Sequence, residues 1–402
     1  MNKGIGKKAV CMPVYSYYPF DPRVRRAAEA LIEEGHSVDV ICLKGEGESR
    51  TGSFNGVNIH RVSLIHKRGG YLRYIYHYAM FFILVFLTLN RLDFRRKFGV
   101  VHVHSLPDFL VFVAVLQKLK KRKIILDLHE VMPEIYAARF KKDMGSSPVR
   151  FVNFLERKSC SFAHQVITVN DARREVLEGR GVPSEKITVI MNTPDDKVFI
   201  KKNVDEFKRQ LGLENKYITV YVGGINPERN LEIIIKAMAL LKDDIPELFF
   251  VLFGHSYGQE GSHYVDDLKA LARKQGVSDS VYFGGRLAGE DVAGYMDLAH
   301  FGVISYIANP MTELAMPNKV FEYIALDVPI ISCRLKGLYS LMGDDAAIYF
   351  EPENEKELAE KIRLLHDDRD MADRLIRGGK EIYVNYTWQI MKDRLNALYG
   401  GL

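Results

Sequence analysis

The chain has 402 residues, 47% hydrophobic and 27% charged, enough for two globular domains of about 100–200 residues each, each burying its own core. Lys plus Arg outnumber Asp plus Glu by 56 to 51, a formal charge of +5. An excess this mild, without one concentrated basic face, argues against a nucleic-acid partner. Cys11, Cys42, Cys160 and Cys333 are far apart and form no CxxC pair, as expected of reduced, buried thiols in a cytosolic protein. The N-terminal apolar run is too short for a signal peptide.

In chain order, Ala9–Val14 reads as a strand and Arg23–Glu34 as a helix that Gly35 ends. Asp21 is its expected N-cap, with Pro22 at the first helical position. Tyr15, Tyr17 and Tyr18 precede it, on a loop able to offer aromatic rings to an acceptor. Val38–Leu43 is the next strand. Lys67, Arg68, Arg73, Arg91, Arg95, Arg96 and Lys97 then surround YAMFFILVFLTL, and a second basic run, KLKKRK, spans Lys118 to Lys123. The apolar run Tyr78–Leu89 is shorter than the roughly 20 residues that span a bilayer. Two readings of segment 67–98 follow. One is a helix lying on an anionic membrane surface, with Phe81 and Phe82 toward lipid. The other is a buried helix with a basic flank.

Val100–His104, Lys123–Leu128 and Gln165–Val169 continue the strands. After the second of these comes DLHEVMPE, with Asp127, His129, Glu130 and Glu134. A histidine at a strand end can contact substrate or move a proton; a turn-and-cap cluster is the plainer reading. The spacing matches no metal motif such as HExxH, so no metal is expected.

Met191–Asp196 is the hinge candidate, and the rhythm restarts beyond it. Strands are expected at Ile218–Val222, Leu248–Phe253, Val281–Phe283, Phe301–Ile304, Ile330–Cys333 and Ala347–Phe350, with helices between. A last helix, Tyr383–Tyr399, presents Trp388, Met391, Leu395 and Leu398 for packing. Strand–helix alternation of this kind predicts parallel sheets covered on both faces. The expected domains are 1–193 and 194–380, with 381–402 as a terminal segment. Ligands bind beyond the carboxyl ends of such strands, which selects two further segments. Gly223 and Gly224 allow a tight turn before a helix N-terminus, with Arg229 beside it, an arrangement suited to phosphate. Lys319 and Glu322, three apart, share a helix face. The lysine can meet phosphate and the carboxylate can accept ribose hydroxyls; an ion pair within the helix is the plainer alternative.

These pieces, in this order, resemble the group 1 glycosyltransferases over essentially the whole chain. The resemblance rests on DPRVRRAAEALIEEGHSVDVI, VVHVHSLPD, ILDLHEVMPE and VITVNDARREVLEGRGVPSEKITVIMNTPD in the first half. In the second half it rests on YVGGINPERNLEIIIKAM, VYFGGRL and PNKVFEYIALDVPII, with YTWQIMKDRLNALY at the end. It implies the GT-B fold: two Rossmann-like domains facing across a cleft, with the last helix crossing back to the first domain. It implies a nucleoside-diphosphate sugar donor of the UDP or GDP type, held mainly by the second domain, and no metal or other cofactor.

By that resemblance Gly223, Gly224 and Arg229 meet the diphosphate, Lys319 adds a second phosphate contact and Glu322 holds the ribose. Ile225 stands where the family has a companion arginine. Arg286 and Leu287 frame the base. Glu313 is the nearest match to the carboxylate that holds the donor sugar, although the family's spacing puts that position at Leu314. His129 corresponds to the histidine that faces the sugar. The implied chemistry is transfer with retention and no protein nucleophile, with His129, Arg229 and Lys319 as the catalytic group. The acceptor class is a glycan or lipid-linked glycan of cell-surface polysaccharide synthesis, in the cytoplasm or peripheral at the inner membrane face. A non-hydrolysing sugar-nucleotide epimerase and a non-catalytic nucleotide-sugar binder are the competing readings.

Overall fold

The computed structural model describes residues 6–64, 71–194, 198–201, 203–256, 263–287, 289 and 291–402, without the side chains of 71–75. Lys67 and Arg68 of the basic segment, the side chain of Arg73, and Asp195 and Asp196 of the hinge candidate therefore lie outside the described residues. The chain divides into two compact units, 1–192 with 389–402, and 193–388. Residues 381–388 thus stay with the second unit. There Tyr383 and Tyr386 pack their rings against Phe321, with centroids 6.1 and 6.0 Å away.

The first unit is built on an eight-stranded sheet. Its strands are β1 (Ala9–Pro13), β2 (Ser37–Leu43), β3 (Thr51–Phe54), β4 (Val57–Val62), β5 (Val100–His104), β6 (Lys123–Leu128), β7 (Gln165–Thr168) and β8 (Ile187–Val189). Their order is β3-β4-β2-β1-β5-β6-β7-β8, and every pairing is parallel except β3 with β4. Both faces are covered, so the strands are apolar on both sides: Val10, Cys11, Met12, Val101, Val103, Ile125 and Leu126 have no exposed surface. Asp21 caps the helix Pro22–Glu33 as expected, its Oδ1 accepting from the Arg23 N–H at 3.1 Å. The β3–β4 hairpin was not anticipated. Its signal is present, since Asn55 and Gly56 both adopt positive φ, 47° and 82°, the conformation that Asn-Gly favours in a two-residue hairpin turn.

The helix Tyr71–Arg96 has 26 residues, and its stretch Tyr76–Arg96 is long and apolar enough to cross a membrane. The shorter expectation counted only the apolar run and missed the turns that extend it. His77, Phe81, Val85, Leu89 and Asp93 recur every fourth residue and are buried, with Phe81, Val85 and Leu89 joined to the sheet core. Phe81 is therefore a core residue rather than a lipid-facing one, and Phe82 is half-buried against the same core. The opposite side exposes Tyr76 (58%), Ile83 (50%), Leu87 (60%) and Phe94 (86%).

The second unit has six strands: β9 (Tyr217–Gly224), β10 (Leu248–His255), β11 (Val281–Gly285), β12 (Gly302–Ile304), β13 (Ile330–Cys333) and β14 (Ala347–Phe350). They form two parallel triplets, β11-β10-β9 and β12-β13-β14, joined by a parallel bridge between Thr219 and Phe301. In the unit's own count this is strand order 3-2-1-4-5-6, the doubly wound arrangement whose order reverses between the first and fourth strands. Ile218, Val220, Phe250, Leu252, Val303 and Ile331 are buried in its centre, each contributing about 1.5–3 kcal/mol of apolar burial.

Gly223 and Gly254 are register partners on β9 and β10, with φ of 156° and 147°. A Cβ on Gly254 would overlap the Gly223 carbonyl oxygen, whereas one on Gly276, also at positive φ, would meet open space. Gly276→Ala should therefore carry only the backbone penalty of about 1 kcal/mol. Gly254→Ala should add an overpacking cost of about 1–3 kcal/mol. Urea midpoints compare them, and equal midpoints would contradict this account of the strand approach.

Candidate functional site

In a doubly wound sheet the crevice opens beyond the strands at which the order reverses. In the second unit these are β9 and β12. The chain leaves β9 through Gly223 and Gly224, and the Ile225 N–H donates to the His255 carbonyl at 3.1 Å. A single 3₁₀ turn, Pro227–Arg229, follows, and Asn230 sits at φ 50°. The expected helix thus begins two residues late, at Glu232. The turn is tied to the end of β12. The Ser305 hydroxyl donates to the Arg229 carbonyl at 2.9 Å, and the Ile307 N–H to the Glu228 carbonyl at 3.3 Å. The Arg229 guanidinium lies 4.7 Å from the centre of the Tyr306 ring, a cation–π placement that holds it at the mouth of the crevice.

Lys319 enters from the helix Asn318–Ala325, which follows Pro317. Its side chain is buried, donating from Nζ to the Val222 carbonyl at 3.0 Å and lying 4.0 Å from the centre of the Tyr221 ring. The Tyr221 hydroxyl donates to the Gly224 carbonyl at 2.8 Å, so one tyrosine braces both the lysine and the glycine turn. Burial lowers the Lys319 pKa to about 8; the charge of Arg229 adds to this and Glu322 opposes it. Burial also pushes Tyr221 up to about 12, with Arg229 pulling down and Glu322 pushing up. Arg229, Lys319, Glu322 and Tyr221 are therefore one electrostatic group. Two cations beside a glycine turn form a site for an anion, and an anion would offset the desolvation of Lys319.

The structure gives Glu313 a different partner from the expected sugar. Its carboxylate accepts from the Lys336 N–H at 3.0 Å, capping the helix Lys336–Met342. The preceding loop is shaped by Asn309, whose Oδ1 accepts from the N–H groups of Met311 and Thr312 at 2.9 and 3.0 Å. The one-residue offset of Glu313 thus has a structural account: it holds the start of a helix. Arg286 is exposed beyond β11, two strands from β9. Leu287 packs on the apolar cluster of Val220, Phe253 and Leu298. Neither joins the group around Lys319. Tyr221, Ser305 and Tyr306 were not singled out in advance, although the strand-end rule pointed to their positions.

In the first unit the order reverses between β1 and β5, whose ends are bridged at Val14 and His104. Here His102, His104, Asp127 and His129 lie together, all buried. His104 Nδ1 is 3.0 Å from His129 Nε2 and 3.2 Å from Asp127 Oδ2. His102 Nε2 is 3.4 Å from the same oxygen, a long, poorly aligned approach better treated as charge–dipole attraction than as a full hydrogen bond. His102 Nδ1 is 3.0 Å from the Tyr399 hydroxyl. The backbone of His129 is pinned twice: its N–H donates to Ser105 Oγ at 3.1 Å and its carbonyl accepts from Arg173. Arg173 also pairs with Glu130 at 2.6 Å. Burial drives the His129 pKa down to about 3, against the opposing charge of Asp127, so its imidazole is neutral at physiological pH. Burial alone would raise Asp127, but the surrounding histidines hold it well below the usual carboxylate range. Glu134 belongs elsewhere, bound by Arg180, which also pairs with Glu156 at 2.7 Å.

By residue type His102, His104 and Asp127 are a metal-ligand set. The two rings stack, however, with centroids 4.4 Å apart and planes 19° from parallel. Lone pairs in the planes of stacked imidazoles run side by side and do not converge on one ion. The arrangement is that of a hydrogen-bonded chain.

Lys319 supplies a test by linkage. Its pKa is 10.5 when unperturbed and about 8 in the fold, so between those values the unfolded chain binds the extra proton. Folding stability must then rise with pH across that window. Lys319→Met should be more stable than wild type below about pH 8, by roughly 1–3 kcal/mol, and the advantage should shrink toward pH 10.5. Chemical denaturation of both proteins across this range reads it; a difference that does not change with pH would refute the buried-lysine assignment.

Two family models match the chain. One, described as glycosyl transferases group 1, spans residues 203–382; the other, a glycosyl transferase 4-like domain, spans residues 21–193. An uncharacterised glycosyltransferase of Methanocaldococcus jannaschii is 24% identical over 92% of this chain and 91% of its own length. The N,N'-diacetylbacillosaminyl-diphospho-undecaprenol alpha-1,3-N-acetylgalactosaminyltransferase of Campylobacter jejuni is 24% identical over 62% and 64%. Among solved structures, sucrose-phosphate synthase of Thermosynechococcus elongatus superimposes with a TM-score of 0.80 at 18% identity, covering 98% of each chain. The Anabaena protein HepE, solved in complex with UDP, gives 0.76 at 15% identity, over 98% of this chain and 100% of that one.

Proposed function

Because the chain belongs to the group 1 glycosyltransferases and has their two-domain GT-B fold, we propose that this glycosyltransferase binds its nucleoside-diphosphate sugar at the β9–β12 crevice of the second unit and transfers the sugar with retention of configuration. The observation that carries the assignment of the site is Lys319, a buried cation held at the glycine turn with Arg229 beside it. Gly223 and Gly224 let the donor diphosphate approach the backbone. Arg229 and Lys319 stabilise charge as it develops on the leaving diphosphate. Glu322 accepts the ribose hydroxyls. His129, neutral and rigidly held in the first unit, offers its imidazole to a sugar hydroxyl. No protein nucleophile, metal or other cofactor takes part, and the donor base is uridine or guanosine.

The acceptor in this reading is a glycan carried on a lipid at the cytoplasmic face of the membrane. The exposed row Tyr76, Ile83, Leu87 and Phe94 supports it. So do Arg91, Arg95, Arg96 and Lys97 at the C-terminal end of the same helix, which suit an anionic headgroup layer. The Campylobacter relative acts on a lipid diphosphate by its name.

A thermal-shift screen of UDP- and GDP-sugars should find one donor that stabilises the protein, by about 2.7 kcal/mol at a hundredfold excess over Kd. Glu322→Ala should weaken that donor about tenfold or more, as expected for a lost charged hydrogen bond. Arg229→Met should lower kcat by about 10²–10³. Donor affinity should fall as pH rises through about 8, where Lys319 loses its charge. Unchanged affinity in a folded Glu322→Ala protein would remove the ribose assignment, and conversion of the donor with no acceptor present would indicate an epimerase. In vesicle flotation, phosphatidylglycerol vesicles should carry the wild type and lose the Leu87→Glu, Phe94→Ser double variant. Equal flotation of the two would exclude the helix as the docking face.

A further inference from the structure

We propose that Asp127 and His104 set the tautomer of His129, placing its proton on Nδ1 so that it acts as a hydrogen-bond donor to an oxygen of the bound sugar. The inference refines the role given to His129 in the preceding reading and rests on it for the ligand, but not for the tautomer.

The argument is an accounting of protons along the buried chain. His104 Nδ1 and His129 Nε2 are 3.0 Å apart, so one of them carries the hydrogen and the other the lone pair. Local geometry between two imidazoles does not choose. The carboxylate does: Asp127 Oδ2 lies 3.2 Å from His104 Nδ1. A lone pair facing an anion at that distance is repelled, whereas an N–H is attracted. His104 Nδ1 therefore carries the proton and donates to His129 Nε2, which must accept. A neutral imidazole has one N–H, so that of His129 is at Nδ1. Burial keeps His129 neutral, its pKa held near 3.

The far end of the chain fits the same scheme. Tyr399 donates its hydroxyl hydrogen to His102 Nδ1 at 3.0 Å, leaving the His102 proton on Nε2, toward the same Asp127 oxygen at 3.4 Å. Both histidines thus point N–H groups at one carboxylate. His129 Nδ1 is buried and has no hydrogen-bond partner within the protein. A buried donor left unmade costs about 1–3 kcal/mol, which a ligand oxygen would recover. His129 cannot serve as a general base through that nitrogen, because the lone pair is absent from it. Asp127 and His104 are accordingly positioning residues, and His129 is the residue that touches the ligand.

The test needs no substrate for its first part. The protein is labelled with ¹⁵N-histidine, and the His129 resonances are assigned by comparison with His129→Gln. Long-range proton–nitrogen correlation at neutral pH should then find Nδ1 protonated and Nε2 unprotonated. The opposite pattern would overturn the proposal whatever the enzyme does. In Asp127→Asn the carboxamide can donate to His104 Nδ1, so the His129 proton should move to Nε2. Retention of the Nδ1–H form there would show that the carboxylate is not the determinant. Should that variant fail to fold, His104→Phe removes the donor and should leave His129 a mixture of tautomers; a single unchanged Nδ1–H form would again overturn the proposal. A stoichiometric shift of the His102 and His104 resonances on addition of Zn²⁺ would make the trio a metal site and also overturn it. In the folded variants kcat/KM for the sugar donor should fall about tenfold, one hydrogen bond's worth, while binding of the nucleoside diphosphate alone is unchanged. Equal losses in both would indicate a merely structural role.

Discussion

A parallel sheet covered on both faces leaves little of its backbone near water except at its ends, and a ligand can enter only where adjacent strands send their connections to opposite faces. Both units obey this constraint. In the second unit the split falls between β9 and β12, and the groups gathered there come from β9, the turn after it, the end of β12 and the helix carrying Lys319. In the first it falls between β1 and β5, beside the chain of buried histidines.

The two ends carry opposite kinds of buried charge. Around Lys319 the burden is cationic, and burial lowers the lysine's pKa because only a carbonyl and an aromatic face compensate it directly. That is a site made for an anion. Around Asp127 the charge is anionic and already surrounded by imidazoles. That site needs no further ion, and its unmade bond is a single N–H. A phosphate-bearing group and a neutral hydroxyl are the ligands these two environments select.

The helix Tyr71–Arg96 illustrates a double demand on one element. Its buried stripe completes the first sheet's core, and its outer stripe remains apolar with arginines at one end. Composition alone made burial and membrane contact look like alternatives. Four-residue periodicity in the folded chain lets them coexist, because the two sets of side chains occupy opposite sides of one cylinder.

The amino-acid order was enough to establish the alternation of strands and helices, the place of the second unit's start, Asp21 as a cap, and the importance of Gly223, Gly224, Arg229, Lys319 and Glu322. Each of these depends on short-range pattern: periodicity, turn chemistry, or residues three or four apart. What it could not establish depends on contacts between distant segments. Glu313 became a helix cap because Lys336 arrives beside it. Phe81 became core because the sheet lies on its side of the helix. Tyr221 acquired its role from a lysine 98 positions later. The Asp127–His104–His129 chain exists only because β5 and β6 are neighbours in register. Local propensity has no access to such partners, since they are chosen by how the sheet is assembled and by which buried polar groups must then be satisfied.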